Sequence, residues 1–174
     1  MFPDTFSTAR LTLRPVQVED AAAIFNSYGQ DAEVTRHLTW RPHASIDDTH
    51  SFVQMCLRAQ TSRTYMIVVK VTGEVVGVFD LRMPGKMRVE FGYALARRHW
   101  RQGLMTEALI EITSWALNEP SIWRISAVAD TENIGSIRVM EKAGLQREGV
   151  LRRWLVHPNI SDDPRDCVSF AATR

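Results

Sequence analysis

The stretch MRVEFGYAL-ARRHWRQG-LMTEALIEI, residues 87–112, decides the fold. Its first nine residues carry the β-branched, aromatic and alternating apolar positions of a strand, and its last nine repeat apolar residues at helical spacing. The basic turn between them ends at Gly103, so a strand passes directly into the N-terminus of a helix. Helix N-termini present amide N–H groups that no residue within the helix can accept, and such a terminus favours an anion. Gly103 removes a side chain where a ligand would approach the backbone, and Arg98 and Arg101 add positive charge to the same turn.

Downstream of this helix, WRISAVA (123–129) reads as a short apolar strand. Two strands joined through one helix form a βαβ unit, so these two should run parallel. Upstream, TYMIVVKV (64–71), a turn at Thr72 and Gly73, and EVVGVFDLR (74–82) read as a hairpin. A further turn at Pro84 and Gly85 leads into strand 87–95, which makes the meander antiparallel. RLTLRP (10–15) is a first strand, and helices are expected over 18–28 and from Ser45 to about Gln60, joined by the loop HLTWRPHAS. NIGSIRVMEKAG (133–144) reads as a short helix stopped by Gly144, before two last strands in VLRRWLVH and CVSFAAT. The expected fold is α+β: about seven strands in a mixed, mostly antiparallel sheet, with about four helices. No repeat, linker or low-complexity tract interrupts it, so residues 1–174 read as a single domain.

Composition narrows the function classes. The chain has 174 residues, 45% of them hydrophobic, with 21 Lys and Arg against 20 Asp and Glu. A formal charge of +1 lacks the basic excess of a nucleic-acid binder, so any anion site is local. No apolar run approaches the roughly 20 residues of a membrane span, and the first residues lack the pattern of a secretory signal. Cys56 and Cys167 sit far apart in apolar surroundings, which points to a reducing cytoplasm. The five histidines show no metal-ligand spacing, so no metal is expected.

Two segments resemble one family, the GNAT superfamily of N-acetyltransferases, and within it the RimJ/RimL-like branch. RRHWRQGLMTEAL is similar to its pyrophosphate loop, Q/R-x-x-G-x-G/A, with Arg98 first and Gly103 last; Arg101 stands where the pattern has its first glycine. ENIGSIRVMEKAGL is similar to the branch's N-x-x-S-x-x-V-L-x-K-x-G-F stretch through Asn133, Ser136, Lys142 and Gly144. VTRHLTWRPH and HPNISDDPRD extend the likeness over nearly the whole chain.

The resemblance implies a GNAT-like fold and transfer of an acetyl group from acetyl-CoA to a primary amine. It places the cofactor on Arg98, Arg101, Gln102, Gly103, Leu104, Met105 and Thr106, with Asn133 and Ser136 beside the pantetheine arm and thiol. It implies that the strand before the loop bulges and splays from its neighbour, so that backbone groups of Tyr93, Ala94 and Leu95 face the acetyl carbonyl. The tyrosine that many relatives use to protonate the thiolate corresponds to Met140, which cannot donate a proton, so Ser136 is the candidate acid. The carboxylate of the RimL-like base corresponds to Leu155, and Glu90 is the remaining candidate. Trp40, Arg41 and Trp154 are candidates for the rim of the acceptor site. The acceptor is a protein N-terminal α-amine, as in RimJ/RimL-like enzymes, or a small amine, and a homodimer would resemble many relatives. The losses at Met140 and Leu155 leave open another class, an acyl-CoA-binding regulatory or interaction module without turnover.

Overall fold

The computed structural model describes residues 2–174. Its frame is one eight-stranded sheet in the order β1-β2-β3-β4-β5-β6-β8-β7. The strands are β1 (Phe6–Ser7), β2 (Leu11–Pro15), β3 (Ser62–Val69), β4 (Val75–Gly85), β5 (Arg88–Leu95), β6 (Arg124–Asp130), β7 (Gln146–Val156) and β8 (Pro164–Thr173). The helices are α1 (Ala21–Ile24), α2 (Ala32–Thr35), α3 (Ile46–Arg58), α4 (Leu104–Asn118) and α5 (Ile134–Lys142). Strand pairs are antiparallel except β5 and β6, which run parallel because α4 carries the chain back between them. The expected α+β class, with a mixed and mostly antiparallel sheet, holds.

Side chains alternate across the sheet and feed two cores. Phe79, Leu81, Val89 and Phe91 pack against the apolar stripe of α4, formed by Met105, Ala108, Leu109 and Ile112, and against Met140 of α5. Met66, Val78 and Ala94 point the other way, onto Ala21, Ile24, Tyr28 and Val53 of the first helical layer. Covered on both sides, the central strands read as nearly continuous apolar runs.

Several local expectations needed correction. The helix expected over 18–28 is broken into a 3₁₀ turn at Val18–Asp20, α1, and a π turn at Phe25–Gly29. Asp20 anchors the first break, accepting from the Gln17 amide and holding the Arg14 guanidinium at 2.6 Å. The π turn directs Tyr28 into the core and lets Ser27 donate to the Val75 carbonyl. Asp31 caps the short α2, which sequence reading had passed over, and Phe6–Ser7 adds an eighth strand at the sheet edge. The turn expected at Pro84 and Gly85 falls at Lys86 and Met87, where Met87 has a left-handed φ of 69°. Pro84 instead lies inside β4 at a register shift, where its missing N–H breaks no regular ladder.

Candidate active site

The parallel pair supplies the cleft. β5 pairs with β6 only through Arg88↔Arg124, Val89↔Ile125 and Glu90↔Ser126. Beyond Glu90, β5 keeps its ladder to β4 and β6 keeps its ladder to β8, but the two strands part. The expected splay is therefore present, whereas β5 itself does not bulge. Its register with β4 is regular from Glu90 to Leu95, and the shift between β3 and β4 falls in β4, beside Val76.

Backbone alternation shows which groups face the opening. Ala96 donates to Val76 of β4, while Met87 accepts from Trp123 on the β6 side. Polar groups of Val89, Phe91, Tyr93 and Leu95 consequently point toward β6, and those of Tyr93 and Leu95 point into the splay. The Leu95 carbonyl is taken by the Trp100 indole at 2.7 Å. Gly77 allows the close approach of β4 behind this edge, because a Cβ there would overlap the Ala94 carbonyl oxygen.

The turn after β5 confirms the local reading. Gly103, the N-cap of α4, has φ 75° and ψ 4° and caps with no side chain. The first intrahelical bond runs from Glu107 N–H to the Gly103 carbonyl, so the amides of Leu104, Met105 and Thr106 lack helical acceptors. Arg101, in place of a glycine, nevertheless takes the left-handed φ of 61°. Left-handed residues alternating with right-handed ones turn successive N–H groups into one concavity that suits an anion. Leu104 and Met105 are buried, so they contribute backbone alone, while Thr106 remains half-buried.

Side chains around the turn are less simply arranged. Arg98 faces Glu74, with Nε 3.0 Å from Oε1, and also reaches Ser27. This ion pair lowers the Glu74 pKa and directs the Arg98 guanidinium toward the start of β4. Gln102 folds its amide onto the Arg98 carbonyl. The turn is tied instead to β2 by Arg10, which donates to the Gln102 carbonyl at 3.0 Å and to Glu107 Oε2 at 2.6 Å. Thr8 and the Arg10 amide complete the hold on Glu107. Neither residue was singled out from the sequence, since 97 positions separate Arg10 from Glu107.

Across the splay, Asn133 caps α5 by accepting from the Ser136 amide at 3.1 Å. Its position thus has a structural purpose, and it fixes where Ser136 sits. The Ser136 hydroxyl lies 2.8 Å from the Tyr93 hydroxyl. Burial pushes the Tyr93 pKa up to about 12, against the opposing effect of the Ser136 bond, so the phenol keeps its proton at neutral pH. Only backbone had been expected of Tyr93; its side chain is the partner of Ser136. Met140, one turn after Ser136 on α5, is fully buried in the core. Leu155 of β7 is paired with Arg165.

On the opposite face, Glu90 is half-buried beside Ser126, and its charge adds a minor contribution to that of Glu148 in raising the Arg124 pKa. Trp40 packs on His43 with ring centroids 4.9 Å apart, and its carbonyl accepts from Asn159, which also donates to Thr35. This stitches the loop after α2 to the turn between β7 and β8. Arg41 is exposed near Asp162, and Trp154 stands exposed on the edge strand. Of the three rim candidates, Trp40 packs within its loop, while Arg41 and Trp154 are exposed.

Residues 10–146 match the family model described as an acetyltransferase (GNAT) domain. An uncharacterized N-acetyltransferase of Bacillus licheniformis, p20, is 34% identical over 157 residues, 87% of each chain. The structure of a GNAT-family acetyltransferase from Bacillus anthracis superposes with a TM-score of 0.85 at 24% identity, covering 97% of this chain and 98% of that one. RimL, the ribosomal L7/L12 α-N-protein acetyltransferase, solved with coenzyme A, has a TM-score of 0.83 at 19% identity, with 97% of each chain covered. Spermidine N-acetyltransferase from Vibrio cholerae, solved with CoA and spermine, has a TM-score of 0.79 at 17% identity, covering 95% of this chain and 96% of that one. With the family model spanning most of its length, the chain belongs to the GNAT family and is an acetyl-CoA-dependent N-acetyltransferase.

Proposed function

We propose that the enzyme acetylates the α-amine of a protein or peptide N-terminus by direct attack on acetyl-CoA. The observation that carries this reading is the Tyr93–Ser136 hydroxyl pair at the opening between β5 and β6. The free amides at the start of α4, with the left-handed Arg101 and Gly103, hold the pyrophosphate. The cofactor's arm then runs into the splay, where the Tyr93 and Leu95 backbone receives it and polarises the acetyl carbonyl. Asn133 fixes the α5 terminus beside the thiol. Ser136 protonates the departing thiolate, and Tyr93, itself protonated, resupplies the serine through their shared hydrogen bond.

The acceptor follows from proton affinity. An α-amine has a pKa near 8 and a lysine amine one of about 10.4, a gap of roughly 2.5 units or about 3.4 kcal/mol. A site without a carboxylate at Leu155 favours the amine that is already partly neutral. The fold likeness to RimL accords with an N-terminal acceptor, and that to spermidine N-acetyltransferase makes a polyamine the competing small-molecule acceptor. Glu90 lies on the acceptor face, but four residues short of Ala94, about 13 Å along the strand. A direct role as base is therefore out of its reach, and any role would need a chain of water.

Free-thiol release should be followed with acetyl-CoA and three acceptors: a peptide with an N-terminal serine, a lysyl peptide with its α-amine blocked, and spermidine. The expected result is saturable release, with the seryl peptide giving the highest kcat/KM. Acetyl-CoA binding without release for any acceptor would favour a binding module, and a preference for spermidine or the lysyl peptide would overturn the N-terminal assignment.

A further inference from the structure

Where β6 ends, the buried carboxylate of Asp130 gathers groups from distant segments. Arg165 of β8 donates to its two oxygens at 2.5 and 3.3 Å, and the Glu132 amide donates at 2.8 Å. His157, just after β7, brings Nε2 to 3.8 Å from Oδ2, and His37, in the loop after α2, brings Nδ1 to 3.9 Å from Oδ1. The two imidazole rings are 6.3 Å apart, edge to face. Each has a buried Nδ1 with no hydrogen-bond partner among the described residues. Two imidazole nitrogens without protein partners beside one buried carboxylate distinguish this cluster from an ordinary ion pair.

Strand register puts this cluster at the splay. Glu90 pairs with Ser126, and counting onward along both strands brings Ala94 to the level of Asp130, across the opening. Ile125, Ala127 and Ala129 pack into the core beneath α4, so Asp130 projects from the other face, toward the loop after α2. Asn133 begins the α5 terminus immediately beyond, its amide donating to the Asp130 carbonyl. One short turn thus links the carboxylate on the acceptor face to Ser136 on the cofactor side.

His37 is the reachable member. Its side chain is 17% exposed against 4% for His157, and turning Nδ1 toward Asp130 leaves Nε2 on the far side of the ring. Burial holds its pKa below the ordinary 6.5; the charges of Arg36, His157 and Arg165 act the same way, and Asp130 opposes them. Cys167, 3.8 Å from His157, is a neutral thiol, since burial pushes it up to about 11. Glu132 is held by Arg165 at 2.9 Å and does not compete for the ring.

We propose that His37 is the proton acceptor for the incoming amine and that Asp130, fixed by Arg165, is its positioning residue. The assignment rests on the direct-transfer reading above. The amine's lone pair forms the new C–N bond at the acetyl carbon. The proton on the attacking nitrogen passes to His37 Nε2, the C–S bond breaks, and the thiolate receives its proton from Ser136. Asp130 orients the neutral imidazole with its N–H at Nδ1 and stabilises the imidazolium, the contact tightening from 3.9 Å as the acceptor binds. His157 supports the same carboxylate from its other side.

The full chain with acetyl-CoA and the seryl peptide tests this assignment. Wild-type kcat should fall on the acidic side with a pKa below 6.5, and His37→Gln should lower kcat by about 100-fold and remove that limb. Acetyl-CoA affinity should stay within about twofold, since a general acid–base group acts in the transition state. In His37→Ala, added imidazole should restore rate, more basic imidazoles more effectively, which a packing role would not produce. If His37→Gln perturbs the fold, His37→Asn serves as the second variant. Retention of the acidic limb in either variant, or its loss in Glu90→Gln alone, would overturn the assignment. Failure of the wild type to release thiol with all three acceptors would instead overturn the transfer reading itself, and with it the role of His37.

Discussion

The phenolic oxygen of Tyr93 lies 2.8 Å from the hydroxyl of Ser136, across 43 residues of sequence and the opening between β5 and β6. A proton-donating phenol thus stands close to where Met140 removed one. Ser136→Ala should lower kcat by about 100-fold and leave the acetyl-CoA dissociation constant little changed. Tyr93→Phe should lower kcat less, and the double variant should be no worse than Ser136→Ala, because the two hydroxyls act in series. Additive losses in a double-mutant cycle would count against the relay.

Arg101 holds a backbone conformation that costs a residue with a Cβ about 1 kcal/mol. Arg101→Gly should relieve part of that strain and raise Tm by about 2 °C for a chain of this size. Calorimetry checks the stability, and isothermal titration with acetyl-CoA reads any loss of phosphate affinity from the missing charge. An unchanged or lower Tm would mean that the turn tolerates arginine without strain.

Gly77 gives the cleft its shape from behind. Gly77→Ala would drive a methyl group into the Ala94 carbonyl, and the backbone rather than a flexible side chain must yield. A loss of about 1–3 kcal/mol in urea unfolding is expected. Displacement of the β5 edge should weaken acetyl-CoA binding as well, although Gly77 does not face the splay.

Glu107 holds the turn before α4 through Arg10 and Thr8, and that turn is the proposed pyrophosphate site. Glu107→Gln should destabilise the chain by about 1 kcal/mol, a modest amount because Arg10 is half exposed. It should also raise the acetyl-CoA dissociation constant by loosening the turn. Arg10→Gln should show the same pair of effects, and full affinity in both variants would separate the clamp from cofactor binding.

Stability should depend on pH in two steps. Burial lowers the pKa values of His37 and His43, so the unfolded chain binds protons more readily below 6.5. Their contribution is complete above that value and is lost as pH falls through the folded pKa values. At Asp130, burial raises the pKa but the Arg165 and Glu132 hydrogen bonds prevail and hold it below 3.8, so its contribution is lost in a second, more acidic step. Urea midpoints measured from pH 8 to pH 3 should show a plateau, a decline below about 6.5, and a steeper fall below about 4. His37→Gln should reduce the first decline.

The local grammar of the chain was enough for the strand–turn–helix at residues 87–112, the hairpin at Gly73, the capping of α3 by Ser45 and the glycine after α5. It was also enough to place the left-handed turn that opens α4, because strand alternation, helical spacing and cap chemistry act over at most a few residues. The π turn at Phe25–Gly29 and the displaced turn at Met87 escaped it, since tertiary packing and a register shift set them. The side-chain partnership of Tyr93 with Ser136, the Arg10–Glu107 clamp and the Asp130 cluster escaped for the same reason. Each joins residues whose separation along the chain carries no pairing signal, and their proximity follows from sheet order and strand register, which arise only when the two cores close on the sheet. The strand–turn–helix around Gly103 is a property of contiguous sequence. The proposed proton path depends on the folded sheet, because a proton moves only between atoms that tertiary structure has brought within reach.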